Sequence, residues 1–261
     1  MARIDFDKYR ELYSWKIIQT DKYIFHIESS NYQNGELMSI IEGADKRHLE
    51  ISEILEINND YEKTNERNLK LNYWIHNSQV ALDSGSVVEG KNFVGHGCAS
   101  KSGIDYVTYN SSWSEHARHL LHEETHLIWI REVGEAPSIL NEGIAVYVES
   151  LLIDGYEVMK ERFCKAWFDT IGKEKGLLRN LMQNTYFWNA YGKISVYTLS
   201  GMLVFYIINM WGINLLKEIF SRSNYYDEKL AELIEDKTEI SIEELEISIT
   251  DWINNIVFQS S

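Results

Sequence analysis

The stretch that decides the reading is HEETH, His122 to His126, with LNEGIAVYVE following at Leu140 to Glu149. Residues four apart on an α-helix sit about 40° apart around the axis and one turn apart along it, so the imidazoles of His122 and His126 can converge on one point. That is half of a metal site. Glu123 projects beside the same point and can reach a water on the metal without ligating the metal itself. A catalytic zinc needs a third protein ligand and an open position. Glu142, sixteen residues beyond His126, stands early in a second predicted helix whose apolar stripe, Ile139, Ile144, Ala145, Tyr147 and Val148, packs it against the first. A carboxylate buried there requires a charge partner, which zinc supplies. The alternative is a solvated, histidine-rich face without metal, since His116 and His119 precede the pair.

Working outward, helical spacing dominates after Ser114, over 114–130, 138–152, 158–171, 195–211 and 241–257. The last segment opens with Ser241 and Glu244 at the spacing of a capping box, which satisfies two helix-end donors. Upstream, DKYIFHIE (Asp21 to Glu28), KLNYWIH (Lys70 to His76) and Ile104 to Tyr109 are rich in the residues that suit strands. Between the first two, Leu37, Ile40, Ile41, Leu49, Ile51, Ile54 and Leu55 recur as on a helix over 35–57. The polar run 58–67 and the glycine-spotted run 85–103 read as loops. The pattern is α+β, a small N-terminal mixed sheet with helices and then a mainly helical half. The expected division is an N-terminal subdomain, 1–132, with the HEETH helix, and a helical C-terminal subdomain, 133–261, with Glu142 and an acidic tail. The apolar run Ile194 to Trp211 reads as a buried core helix, because Tyr197, Thr198, Ser200 and Asn209 interrupt it and it barely reaches bilayer length.

A chain of 261 residues buries enough surface to fold without disulfides, and 44% hydrophobic with 13% aromatic residues excludes a disordered chain. Twenty-five Lys and Arg against 40 Asp and Glu give a net charge of −15, which disfavours nucleic acid and anionic membranes as partners. Ten acidic residues against two lysines between Ser223 and Asp251 concentrate that charge on what is expected to be a solvated helical face. Cys98 and Cys164 lack the spacing of a redox or zinc motif, and Met1 to Tyr23 contains no signal-peptide core, so a cytoplasmic protein with ordinary thiols is expected. The single proline, Pro137, falls between the two ligand-bearing segments, where its fixed φ can halt the connection and start the second helix.

HEETH followed by LNEGIAVYVE resembles the gluzincin metallopeptidases, in particular the aminopeptidase N family and compact peptidases of the same kind, whose pattern is HExxH and then a helix carrying NEG-x-A-x-Y. The resemblance implies a zincin-like fold, one Zn2+ held by His122, His126 and Glu142, and Glu123 as general base. The segment Tyr197 to Gly212, YTLSGMLVFYIINMWG, resembles the part of that family where a tyrosine precedes a long apolar helix ending in glycine. This implies that Tyr197 stabilises the oxyanion; from the residues alone, Tyr197 can also be a tyrosine packed at the start of a core helix. The implied activity is hydrolysis of a peptide or protein substrate through a zinc-activated water. Fifteen residues separate His126 from Glu142, fewer than is usual in the aminopeptidases, and GHGCASKSG, Gly95 to Gly103, lacks the glutamate with which they hold a free amine. Two alternatives stand beside the peptidase: a zinc-dependent amidohydrolase of a small-molecule or natural-product substrate, and a catalytically retired scaffold.

Further residues are candidates for supporting roles. His119, one turn before His122, is expected to donate a hydrogen bond behind a ligand or to face solvent. His96, between two glycines, either lines the substrate cleft or is an ordinary loop residue. Glu149, seven residues after Glu142 and on the same face, either orients a ligand, binds substrate or lies on the surface. Cys98 has no histidine partner in the sequence and is given no nucleophilic role. Trp113 and Trp129 flank the metal helix and are expected to pack it.

Overall fold

Strand β1 (Trp15–Gln19) turns back into β2 (Tyr23–Glu28), antiparallel to it with Trp15 opposite Glu28. The computed structural model from which this is described covers residues 14–28, 35–57, 70–76, 87–88, 91–92, 97–100, 103–107, 113–171, 176–191, 195–226 and 228–259. The β1–β2 turn is captured from a distance: Asp45 accepts from the Thr20 hydroxyl at 2.7 Å and from the Asp21 and Lys22 N–H groups at 2.9 and 3.0 Å. Asp45 belongs to α1 (Gly35–Ile54), which links β2 to β3 (Leu71–His76); the two strands pair in parallel, the arrangement that requires such a crossover. Leu37, Ile40, Ile41, Ala44 and Ile51 form the buried stripe of α1 at the expected helical spacing. On β2, Tyr23, Phe25 and Ile27 are buried in alternation, and Phe25 stacks on Tyr73 of β3 with ring centroids 5.1 Å apart.

Strands β4 (Val87–Val88) and β5 (Lys91–Asn92) form a small antiparallel pair of their own. Strand β6 (Gly97–Ser100) pairs antiparallel with β7 (Gly103–Val107), and β7 lies parallel to β3. The main sheet is therefore five-stranded and mixed, in the order β1-β2-β3-β7-β6. Here the glycine-spotted run differs from expectation, since it contributes β4, β5 and β6 where a loop was expected. Gly97, Cys98, Ala99 and Ser100 have little intrinsic strand preference; backbone pairing to β7 makes them a strand. The run 58–67, also expected as a loop, lies outside the described residues.

The chain divides into two compact units, Met1–Ile128 and Trp129–Ser261. Helix α2 (Trp113–Glu132) contains the boundary within its length. The second unit is helical: α3 (Ser138–Asp154), α4 (Tyr156–Thr170), α5 (Leu177–Leu181), α6 (Asn184–Ala190), α7 (Val196–Trp211), α8 (Ile213–Arg222), α9 (Leu230–Thr238) and α10 (Ile242–Gln259). The protein is thus α+β and mostly helical.

Helix α7 is the centre of this unit, buried from Leu199 through Ile207, in agreement with its reading as a core helix. It crosses α3 where neither helix has bulk: a Cβ on Gly143 would stand 2.6 Å from the Ser200 carbonyl oxygen, and one on Gly201 would stand 2.9 Å from Val146 Cγ1 of α3. Gly212, at φ +82°, ends α7 and lets the chain bend by 118° into α8. Among the described residues no single helix is long and apolar enough to cross a membrane, though α7 and α8 together reach that length as a bent pair.

The capping box at α10 forms as expected. Ser241 N–H donates to Glu244 Oε2 at 2.8 Å, and Glu244 N–H donates to Ser241 Oγ at 3.2 Å. The acidic tail, by contrast, is more than a solvated face. Glu246 is buried and accepts from the N–H groups of Gly176 and Leu178, capping α5 from another helix. Arg179 on α5 is gripped by Glu235 and by Glu243, the latter at 2.7 Å, and that contact holds the exposed Glu243 carboxyl down at about 2.

Candidate metal centre

The two histidines of HEETH converge as helical spacing requires. Their Nε2 atoms are 3.1 Å apart, with the rings nearly perpendicular at 81°. Two nitrogens bound to one zinc at about 2.0–2.1 Å, near the tetrahedral angle, stand about 3.3 Å apart, so this pair already has the separation a single ion needs. Glu142 completes the group: one ligand atom each from His122, His126 and Glu142 lie within 4.8 Å of one another. His126 is buried, whereas His122 and Glu142 are half-buried, so the cluster is neither sealed nor solvated. A carboxylate and two imidazoles are the donor set of an open catalytic zinc site, and the residues present suit that ion.

The two residues that flank Glu142 place it, each by a different physical means. Asn141 clasps the start of its own helix: its amide donates to the Ala136 carbonyl at 2.6 Å, and its Oδ1 accepts from the Ala136 N–H at 3.2 Å. Gly143 has no side chain, which permits the close crossing with Ser200 and Val204 of α7. Between them Glu142 is held in both height and rotation. Pro137 serves as the N-cap at φ −54°, and its carbonyl accepts from Leu140 and Asn141, so the joint lies where the sequence put it. Ser138 N–H is met by Asn184 Oδ1 at 2.7 Å, which satisfies another donor of the helix start. Of the apolar stripe of α3, Ile139, Ile144, Ala145 and Val148 are buried and Tyr147 is half-buried, but the neighbour that determines its placement is α7, through the two glycines.

The other candidates are placed as follows. Glu123 follows His122 on α2 and is half-buried. His119 is half-buried one turn earlier, and Glu149 is buried on α3. Tyr197 sits in the first turn of α7 among aromatic rings, with centroids 5.3 Å from Tyr191, 6.3 Å from Phe187 and 6.4 Å from Trp188. His96 and the side chain of Cys98 lie outside the described residues, as does that of Trp113. Trp129 is fully buried and meets Phe220 edge-on at 5.2 Å, in agreement with a packing role.

Glu124, between the two histidines, holds a contact that local spacing does not reveal. It is fully buried and receives a two-pronged ion pair from Arg47 of α1: Nε to Oε2 at 2.8 Å and Nη2 to Oε1 at 2.7 Å. Burial penalises the charge on both partners and raises the Glu124 carboxyl, while the Glu124 charge opposite holds the Arg47 guanidinium above its ordinary value. Glu132, in the last turn of α2, has its carboxyl pushed up to about 7 by burial. No protein-family model and no curated protein matches the sequence.

Proposed function

We propose that the protein is a zinc-dependent metallopeptidase of zincin-like architecture, with His122, His126 and Glu142 as ligands and Glu123 as general base. The observation that carries this reading is the convergence of three ligand atoms within 4.8 Å, two of them imidazole nitrogens 3.1 Å apart on one helix. When bound, zinc acidifies a water toward neutral pH and polarises the carbonyl it meets. Glu123, one residue past the first ligand, takes the proton of the attacking water and passes it to the leaving nitrogen. Tyr197, held in its aromatic cluster, donates its hydroxyl to the carbonyl oxygen as negative charge develops there. Among the described residues β6 pairs only with β7, so its other edge offers backbone groups to an extended peptide, the substrate form this reading requires.

Chelator-stripped protein titrated with Zn2+ is expected to take up one equivalent and then to cleave a mixed peptide library. Glu123→Gln is expected to retain the zinc and lose cleavage by roughly 10²-fold or more, whereas His122→Ala loses both. Failure of the native chain to bind zinc overturns the proposal. Cleavage of small amides without cleavage of peptides transfers the same chemistry to a small-molecule amidohydrolase.

A further inference from the structure

On the helical wheel of α2, His122 and His126 stand at 0° and 40°, so their common direction is about 20°, and Glu124 at 200° points directly away from it. Whatever grips Glu124 therefore grips the back of the metal-facing turn. Arg47 does so with a fork of two short hydrogen bonds, and its Nη2 is itself fixed by the Ile40 carbonyl at 2.9 Å. Room for the guanidinium comes from Gly43, one turn earlier on α1: a Cβ there would lie 2.8 Å from Arg47 Nη1.

Each part of this arrangement is a poor way to gain stability. A glycine inside a helix weakens it, and a buried ion pair often gives no more stability than apolar residues of the same size. What the fork supplies is direction, because planar bidentate contacts fix orientation where apolar packing does not.

We infer that Gly43, Arg47 and Glu124 form a positioning device for the metal pair: the Arg47 fork, seated in the gap left by Gly43, sets the rotation of α2 at which His122 and His126 address one ion. The inference rests on the proposed metal site. Arg47 and Glu124 are positioning residues, acting through the histidines without touching the ion.

The test measures Zn2+ affinity by competition with a chromophoric chelator, alongside thermal unfolding of the metal-free protein, for the native chain and four variants. Glu124→Gln and Arg47→Lys, which break the fork, are expected to weaken zinc binding about 10- to 100-fold, the range seen when groups that orient metal ligands are removed. Gly43→Ala separates positioning from stability: it displaces the guanidinium but improves the helix, so zinc affinity is expected to fall about 5-fold or more while the unfolding temperature does not fall. Arg47→Met with Glu124→Leu fills the same space without the fork and is expected to recover stability but not affinity. Native-like zinc affinity in both Gly43→Ala and the apolar double variant overturns the inference. A native chain that binds no zinc overturns the metal site itself, which is a different result from native binding unaffected by the variants.

Discussion

Replacing Gly143 by alanine tests whether α3 and α7 are as tightly crossed as the site requires. The added Cβ would stand 2.6 Å from the Ser200 carbonyl oxygen, 2.7 Å from Val204 Cγ2 and 3.0 Å from the Ser200 carbonyl carbon, against about 3.4 Å for ordinary contact. About 0.8 Å of extra room must therefore come from moving backbone, since the Ser200 carbonyl belongs to a fully buried helix turn. Overpacking of this kind costs about 1–3 kcal/mol, with the rigid neighbour favouring the upper part of that range. Against it stands a gain of about 1 kcal/mol from replacing glycine inside a helix. The net loss is about 1–2 kcal/mol, or about 2–8 °C in unfolding temperature for a chain of this size. Gly201→Ala is the control, because its Cβ would meet side-chain tips, Phe163 Cζ at 2.7 Å and Val146 Cγ1 at 2.9 Å, which can give way. Thermal unfolding of the metal-free variants reads both. An unfolding temperature for Gly143→Ala at or above that of the native chain, or a larger loss for Gly201→Ala, would refute the argument.

Further outcomes follow from the polar contacts. Glu132, with its folded carboxyl at about 7 against 4.5 for the ordinary group, is protonated in the native state where the unfolded chain has already ionised, so stability falls as pH rises from about 4.5 through 7. Glu132→Gln is expected to flatten that slope and to stabilise the protein at pH 8, by about 1 kcal/mol after allowance for solvent screening of a part-exposed group, with Arg131 standing 3.5 Å away; urea unfolding at pH 5 and pH 8 checks it, and an unchanged slope contradicts it. Asn141→Ala removes both clasp hydrogen bonds and leaves the buried Ala136 backbone groups unmet, so a loss of about 2–4 kcal/mol is expected in the urea midpoint; a loss under about 0.5 kcal/mol would mean the clasp is idle. Ser241→Ala removes half of the α10 capping box and is expected to cost about 1 kcal/mol, read by the same method.

What could be read in the sequence was what depends on local geometry. The convergence of His122 with His126, the start of α3 at Pro137 and the Ser241 capping box each follow from spacings of four residues or fewer, where helix geometry alone fixes who meets whom. The five-stranded sheet was legible only in its apolar members. Tyr23 to Glu28 and Leu71 to His76 show the residues of a half-buried strand, but Gly97 to Ser100 is a strand only because β7 pairs with it. The Arg47–Glu124 pair bridges 77 positions, and neither residue stands out among the many charges of this chain. Two signals pointed toward it: a glycine four residues before an arginine inside an otherwise good helix, and a glutamate opposite two histidines spaced to share one metal ion.

The helix of Glu142 is indexed from both sides, by the Asn141 clasp on Ala136 before it and by the Gly143 notch against Ser200 after it. Such a helix tolerates edits of one kind and not of another. A substitution at a position facing solvent leaves both marks in register. A single-residue deletion between them rotates everything on one side by about 100° and slides it about 1.5 Å, so clasp, carboxylate and notch can no longer be satisfied together. Across sequence variation this segment should therefore change in letters while keeping its length, and the eight residues from Ala136 to Gly143 behave as a cassette whose spacing, more than its letters, keeps Glu142 in place.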